Sequence, residues 1–414
     1  MTDLYKKFLD SKVITTDSRD CPEGSIFFAL KGESFDGNAY AKAALDKGCA
    51  YAVIDEAQYA LDDRFIVVPD VLTTLQQLAN EHRRALNTPI IGVTGTNGKT
   101  TTKELIATVL AKKYNVLYTQ GNFNNHIGVP KTLLRLTHEH DIAVIEMGAN
   151  HPGEIKTLVE IVEPNCGLIT NVGKAHIEGF GSFEGVIKTK GELYDYLRTK
   201  SSKVFIDAEN EHLMAISEGL NLIPYVKGEV IACDPFLRFK WEKGEVSTHL
   251  IGAYNMKNML AAATIGLEFG ITPEQINDAL ANYIPSNNRS QLTVTEHNKV
   301  IVDTYNANPT SMMAALKNFV MMSVEPKMAI LGDMRELGAI SMAEHQKVVD
   351  YLKAEGMKDI WLVGTEFGKT ICDYRKFSDV NEVKEAIAKE MLKDKYILIK
   401  GSNGIRLFEL PELL

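Results

Sequence analysis

The segment Gly92-Val-Thr-Gly-Thr-Asn-Gly-Lys-Thr-Thr constrains this chain more than any other. It continues the apolar run that starts at Ile90 and precedes a helical pattern reaching about Lys112. Gly95 and Gly98 let the backbone turn tightly enough for successive N–H groups to face one anion. The helix that follows adds its unpaired N–H groups and positive dipole end. Lys99 supplies a positive charge for β- and γ-phosphates, and the Thr100 hydroxyl is placed for Mg²⁺. The usual pattern, Gly-x₄-Gly-Lys-Ser/Thr, would need glycine at position 93, where this chain has Val93, so the loop is a variant. A buried strand, a phosphate loop and a helix in that order predict an α/β domain with a parallel sheet. The loop alone leaves open whether the outermost phosphate goes to water, to a hydroxyl or to a carboxylate.

The rest of the chain supplies the setting. Its 414 residues correspond to two or three domains at roughly 150 residues each. Apolar residues at 45% and charged residues at 24% exclude disordered, collagen-like and coiled-coil classes. With 45 Lys+Arg against 54 Asp+Glu the net charge is −9, so there is no long-range basic field for nucleic acid. No stretch approaches the roughly 18–20 apolar residues of a membrane span. Met1-Thr-Asp-Leu-Tyr-Lys-Lys-Phe lacks the apolar centre of a signal peptide. The five cysteines are scattered and never form a Cys-x-x-Cys pair, which predicts reduced thiols in a cytoplasmic protein.

Three domains are expected. In residues 1–88 the strand candidates Ser25–Leu30, Ala50–Ile54 and Phe65–Val68 precede a helix from Asp70 to Leu86, and Pro89 marks the boundary. Residues 89–285 form a central parallel-sheet domain. Its apolar runs Ile90–Thr94, Ile142–Glu146 and Gly167–Val172 read as strands buried on both faces. It closes with helical patterns over Asn255–Phe269 and Pro273–Tyr283, the second with Thr272 as N-cap. Pro285-Ser-Asn-Asn-Arg-Ser reads as a linker. In residues 286–414, strands at Val300, Met328, Ile360 and Tyr396 alternate with helical patterns, a Rossmann-like doubly wound arrangement.

Several positions sit where such folds place ligands. Glu146 ends a buried run, the tip at which parallel strands present metal and ligand contacts. His176 follows the next strand candidate in Gly173-Lys-Ala-His-Ile-Glu-Gly-Phe-Gly-Ser, although a lone histidine is more often structural. Lys190 lies in a helical pattern and on its own reads as a solvated lysine. His138-Glu-His140 has no partner at metal-binding spacing and reads as an exposed turn. Gly121-Asn-Phe-Asn-Asn is richer in asparagine than a plain turn needs. Asp303-Thr-Tyr-Asn-Ala-Asn-Pro follows a strand and opens a helix at Pro309.

These segments together resemble the Mur ligase family, ATP-dependent enzymes that join an amino acid or peptide to a growing wall precursor. The resemblance rests on Gly95-Thr-Asn-Gly-Lys-Thr, Asp17-Ser-Arg, Ile26-Phe-Phe-Ala-Leu-Lys-Gly-Glu, Phe35-Asp-Gly, Gly121-Asn-Phe-Asn-Asn, Glu146-Met-Gly-Ala and Ala175-His-Ile-Glu-Gly-Phe-Gly-Ser. Asp303-Thr-Tyr-Asn-Ala-Asn-Pro and Leu331-Gly-Asp-Met-Arg-Glu-Leu-Gly are similar to the branch that joins D-alanyl-D-alanine to UDP-N-acetylmuramoyl-tripeptide. A sister ligase adding one amino acid, such as a MurE-type enzyme or a folylpolyglutamate synthase, is the alternative. An ATP-dependent switch module is a more distant one.

The resemblance implies a cytoplasmic, ADP-forming ligase that works through an acyl phosphate, acts as a monomer and uses ATP and Mg²⁺. It implies that Ser18 and Arg19 bind the UDP end of the substrate, and that Gly95, Thr96, Asn97, Gly98, Lys99, Thr100 and Thr101 bind ATP. Thr100 and Glu146 would hold one Mg²⁺ and His176 a second. Lys190 matches the lysine that relatives carry as a carbamate, whose added carboxylate helps bind that second metal. Lys99, His176 and Lys190 form the implied catalytic set. Asn258 is the implied adenine contact, while Arg289 and Asp303 would reach back to ATP on closure. Asn122, Asn124 and Asn125 are implied on the substrate side, and Asn306 and Asn308 on the dipeptide side. Asn38 stands where relatives commonly have histidine, and Ser290-Gln291 after Arg289 departs from the usual neighbourhood.

Overall fold

The computed structural model describes residues 1–11, 13–285 and 289–414. The centre of the expected linker, residues 286–288, lies outside the described residues. The chain forms two compact units, each assembled from several segments. The first comprises 1–93, 114–148 and 154–167, and the second 94–113, 149–153 and 168–414.

In the first unit, strands Ile14–Thr15, Ile26–Phe28, Tyr51–Ile54 and Phe65–Val67 form a parallel sheet in that order. Phe27, Ala29, Ala44, Leu45, Ile54 and Phe65 pack together on it. Helix Val71–Leu86 starts at Asp70, whose carboxylate accepts the Thr73 N–H, and stops at Asn87 in left-handed backbone. Two polar side chains are buried on this helix. The His82 Nε2 lies 2.9 Å from the Leu136 carbonyl, and Arg83 donates to the carbonyls of Val162 and Glu163. The helix read as closing the first sequence region is therefore tied to later segments of the same unit. Strands Cys166–Ile169, Ile90–Thr94, Ile142–Glu146 and Val116–Tyr118 are neighbours in that order. Every residue of Ile90–Thr94 and Ile142–Glu146 is buried, as their unbroken apolar character requires.

The second unit includes Thr94 and Leu168–Ile169 of two of those strands. Cys166–Ile169 neighbours Lys203–Ile206, which pairs in parallel with Asn221–Pro224. The expected strand over Gly167–Val172 is shorter than its apolar pattern suggests. It stops at Ile169 because Thr170 and Asn171 turn to bond the phosphate loop. An antiparallel sheet of Gly228–Cys233, Phe236–Trp241 and Gly244–Ile251 follows, which the sequence reading passed over. Its signal is the strict alternation along Phe236–Trp241, with Leu237, Phe239 and Trp241 buried. Helices Asn255–Glu268 and Pro273–Asn282 then form as expected, the second with a full capping box between Thr272 and Gln275.

The last sheet has the order Gln291–Val294, Lys299–Asp303, Tyr396–Lys400, Lys327–Gly332, Ile360–Val363 and Arg375–Phe377. All of its pairings are parallel except that of the first, an edge strand the sequence reading missed. Period-2 alternation sorts its side chains between two cores. Ile301, Ala329, Leu331, Leu362 and Leu398 face one core, which includes Met312, Leu316 and Leu352 of helices Pro309–Met321 and Ser341–Ala354. Val302, Ile330, Val363 and Ile399 face the other, with Val383 and Ile387 of helix Val380–Glu390. The sheet is doubly wound. No helix among the described residues is long and apolar enough to cross a membrane.

Leu331 is fully buried, whereas Met321 is 82% exposed. Leu331→Ala is expected to cost about 2–5 kcal/mol through lost burial and a residual cavity. Met321→Ala should change stability by under about 0.5 kcal/mol. Urea unfolding of the two variants, compared by midpoint, checks the difference.

Candidate active site

The phosphate loop leaves the strand at Thr94 and enters helix Lys99–Leu110 at Gly98. Gly95 has φ +144°, and a Cβ there would lie 2.0 Å from the Thr170 hydroxyl oxygen. Gly98 has φ +78°, and its Cβ would lie 2.7 Å from the Asn258 side-chain oxygen. Glycine is required at both positions by backbone and by space. The loop is clamped from the segment after strand Cys166–Ile169. The Thr96 N–H donates to the Asn171 carbonyl at 2.9 Å, and the Asn97 N–H to the Asn171 side-chain oxygen at 3.0 Å. The Asn97 carbonyl accepts from the Thr170 hydroxyl at 2.7 Å and from the Asn171 amide at 3.0 Å. The Gly173 N–H donates to the Thr96 hydroxyl at 3.0 Å. Thr170 and Asn171 went unassigned in the sequence, although they follow a strand tip just as Glu146 does.

Lys99 curls over its own loop, donating to the carbonyls of Gly95 at 2.9 Å and Thr96 at 3.1 Å. Thr100 is buried in the first helical turn, and Thr101 is half-buried beside it. Asn258 is buried behind the loop, accepting from the Thr102 hydroxyl at 3.1 Å and donating to the Asn255 side-chain oxygen at 2.9 Å. Its amide is thus engaged within the protein.

Residues beyond 300 meet this loop inside the same unit. Asn308 caps helix Pro309–Met321 by accepting the Ser311 N–H. Its amide also donates to the Asn97 side-chain oxygen at 2.7 Å. The Thr310 hydroxyl accepts the Lys174 N–H at 3.2 Å, and the Lys174 ammonium pairs with Glu344 at 3.0 Å. His176 Nδ1 pairs with the Glu336 carboxylate. Burial pushes the His176 imidazole below the ordinary histidine range; Glu336 pulls it back up, and the positive charges of Lys99 and Lys190 add to the lowering. Those three side chains therefore share one electrostatic neighbourhood. Lys190, which reads as solvated when taken alone, is 2% exposed, donates to the Ala149 carbonyl at 3.1 Å and lies 5.0 Å over the Phe180 ring.

Other expected positions of this unit lie around the third region. The Asp303 carboxylate pairs with the buried Lys400 at 2.6 Å. The Asn306 side-chain oxygen accepts the Ala307 N–H at 2.8 Å. The Arg289 guanidinium stacks 3.8 Å from the Tyr305 ring centre, and its Nε has no hydrogen-bond partner among the described residues. Ser290 meets the Tyr254 hydroxyl at 2.6 Å.

The first unit holds the remaining positions. Glu146 is 1% exposed; its Oε1 accepts from the Asn124 amide at 2.8 Å and its N–H donates to the Thr119 hydroxyl at 2.9 Å. Glu146 pairs across the sheet with Val93. Asn125 accepts the N–H groups of Ile127 and Gly128, and the Asn122 carbonyl accepts the Asn124 N–H. Arg19 is exposed and paired with Asp17, whose carboxyl it holds far below the usual range. The Ser18 carbonyl accepts from Lys47 at 2.7 Å. Lys131, which the sequence reading missed, bridges these two turns. Its ammonium lies 5.3 Å over the Phe123 ring and 3.4 Å from the Thr16 hydroxyl. Asn38 is buried, bonding the Asp36 and Asp55 carboxylates and the Asp55 N–H. His138 and Glu139 are exposed, as expected, while His140 is half-buried and accepts the Thr137 N–H.

The donor chemistry fits a nucleotide with Mg²⁺. Both loop glycines are crowded where a phosphate-binding backbone must have no side chain, Thr100 offers a hard oxygen within the second unit, and Glu146 is a buried carboxylate of the first. No cluster of three or more His, Cys, Asp or Glu suited to a metal occurs among the described residues. Mg²⁺ held by one or two protein oxygens together with phosphate oxygens needs none.

Three family models match the chain: "Mur ligase family, catalytic domain" over residues 11–83, "Mur ligase middle domain" over 93–266, and "Mur ligase, glutamate ligase domain" over 288–403. The UDP-N-acetylmuramoyl-tripeptide–D-alanyl-D-alanine ligase of Haemophilus influenzae is 34% identical, across 95% of this chain and 91% of its own. The crystal structure of MurF from Acinetobacter baumannii matches with a TM-score of 0.86 at 29% identity, covering 97% of this chain and 92% of that one. MurF of Thermotoga maritima, solved in complex with ADP, shares the fold with a TM-score of 0.87 at 24% identity, covering 100% of this chain and 98% of its own.

His176 is expected to titrate below the ordinary value of about 6.5. Its neutral form is the one the buried site favours. The associated stability is therefore present above about pH 6.5 and lost as the pH falls through the folded-state midpoint. Lys99→Ala removes a nearby positive charge and should move that midpoint up. NMR titration of the His176 ring in both proteins checks the value and its direction.

Proposed function

This chain belongs to the Mur ligase family, and on that premise we propose that it joins D-alanyl-D-alanine to UDP-N-acetylmuramoyl-tripeptide in peptidoglycan precursor synthesis, using ATP. The observation that carries the reading is the bond from Asn308 to Asn97. It sets the Asn306-Ala-Asn-Pro turn, the segment that favours a dipeptide acceptor, directly on the phosphate loop.

A carboxylate is a poor electrophile, so the tripeptide's terminal acid must first be activated. In the proposed reaction the γ-phosphoryl group passes to that carboxylate, giving an acyl phosphate and ADP. The amine of the dipeptide then adds to the acyl carbon, loses its proton, and expels inorganic phosphate. The first step brings two anions together, so positioning and charge neutralisation dominate its barrier. Lys99 would release its carbonyl partners to meet the transferring phosphate, with Gly95, Thr96, Asn97, Gly98, Thr100 and Thr101 around it. Mg²⁺, held by Thr100 and Glu146, would supply further neutralisation, and His176 with a carbamylated Lys190 would hold a second ion. Asn258, Arg289 and Asp303 would serve the nucleotide. Ser18, Arg19, Asn122, Asn124 and Asn125 would serve the UDP-linked substrate, and Asn306 and Asn308 the dipeptide. The acyl phosphate must be kept from water, a task suited to the residues around Asn308 and Glu336. We place the domain boundaries at 88 and 285, and regard the enzyme as a cytoplasmic monomer.

Phosphate release is expected only when UDP-N-acetylmuramoyl-tripeptide, D-alanyl-D-alanine, ATP and Mg²⁺ are all present. Single amino acids in place of the dipeptide should give none, and turnover of ATP alone would point instead to a switch module. Lys99→Ala should lower kcat by about a hundredfold or more, the scale of one well-placed charge in a dry site. Binding of the UDP substrate, followed by calorimetry, should change little.

A further inference from the structure

Two turns of the last sheet reach the phosphate-loop region: residues 303–308, through Asn308 on Asn97, and residues 333–336, through Glu336 on His176. Both leave the C-terminal ends of strands, and besides its other bonds each is tied to the same third strand end. We propose that Lys400-Gly401-Ser402 is a positioning hub that sets both turns at once, and that Ser402 is the residue coupling them.

The backbone accounting shows the coupling. The N–H groups of Asp333, Met334 and Arg335 donate in turn to the Val363 carbonyl at 3.0 Å, to His345 Nε2 at 3.0 Å and to the Ser402 hydroxyl at 3.0 Å. The Ser402 N–H returns a bond to the Asp333 carbonyl at 3.1 Å. The same Ser402 hydroxyl donates, at a longer 3.4 Å, to the Ala307 carbonyl of the other turn. One buried oxygen therefore accepts from one turn and donates to the other. Two residues earlier, the Lys400 ammonium pairs with Asp303 at 2.6 Å and approaches the Asn306 carbonyl at 3.5 Å. Lys400 is 1% exposed, so its charge is tolerable only with that partner. Gly401 allows the approach, since a Cβ there would lie 3.0 Å from the Gly332 Cα. The parallel register sets Lys400 opposite Asp303 on one side and Leu331 on the other, which gives the hub its reach to both turns. Groups that touch a reacting centre must be held to within fractions of an ångström by a supporting shell, and this segment provides it.

The inference rests on the proposed ligase reading for its kinetic arm but not for its structural arm. Ser402→Ala removes one hydroxyl and little volume, so the protein should fold with an unchanged melting temperature. Hydrogen exchange of the full-length apoprotein should then quicken at the amides of 333–336 and 303–308 while the rest of the last sheet stays protected. In the ligation assay, kcat/KM for ATP and for D-alanyl-D-alanine should fall at least tenfold, with the affinity for the UDP substrate unchanged. Lys400→Met should produce the same split, and if it fails to fold, Ser402→Ala decides alone. Unchanged exchange at 333–336, or a uniform loss across all substrates together with a lower melting temperature, overturns the proposal. Quickened exchange in Ser402→Ala beside a wild-type protein that does not ligate overturns the functional reading and leaves the hub standing.

Discussion

Lack of room at Gly95 is the constraint on which the second unit depends. A side chain there would occupy the space of the Thr170 hydroxyl, and one at Gly98 would meet Asn258. Because neither exists, the loop packs directly against Thr170-Asn171 on one side and the helix beginning at Asn255 on the other. Each clamping hydrogen bond is worth about 1 kcal/mol net. Their joint effect is geometric rather than energetic. The backbone of Thr96 and Asn97 is fixed by Asn171 before any anion arrives, so binding need not supply that ordering.

That arrangement gives the end of strand Cys166–Ile169 a task that pairing could not perform. Continuing the strand through Val172 would keep Thr170 and Asn171 in the ladder. Ending it at Ile169 frees both side chains to bond the Asn97 carbonyl. The same logic governs Asn308. One side-chain oxygen caps a helix, while the amide of the same group reaches the loop. Helix start and contact with the loop are thus specified by one residue, which leaves little freedom to vary either independently.

What the sequence disclosed follows from how far each signal travels along the chain. The phosphate loop, the runs Ile90–Thr94 and Ile142–Glu146, the Thr272 cap and the helix opening at Pro309 are all encoded within a few residues, and each formed as read. Lys190 was misjudged in isolation because its burial is decided by Ala149 and Phe180, the first some forty residues away. Glu336 lay inside a quoted segment, yet its partner His176 is far off in sequence and could not be inferred from spacing. Lys400 and Ser402 carried no pattern beyond a strand running into glycine. The antiparallel sheet around Phe236–Trp241 did carry a local signal, but amphipathic alternation is easily lost beside the stronger apolar runs of buried parallel strands.

The charges around the loop explain how such a site can be stable without its ligand and still respond to one. Lys99 rests on two backbone carbonyls, Lys190 on a third, and His176 on a carboxylate. A carbonyl is a dipole, so it satisfies an ammonium group without neutralising it. The field of the two lysines is consequently still felt at His176, whose ionisation it disfavours. A triphosphate entering this neighbourhood would meet that positive field, and Lys99 could exchange its carbonyl acceptors for charged ones, which bind roughly twice as strongly. The loop lysine thus draws on carbonyls of its own loop and the histidine on a carboxylate from a neighbouring turn, so the cation that meets the nucleotide and the group that senses its charge stand on separate supports.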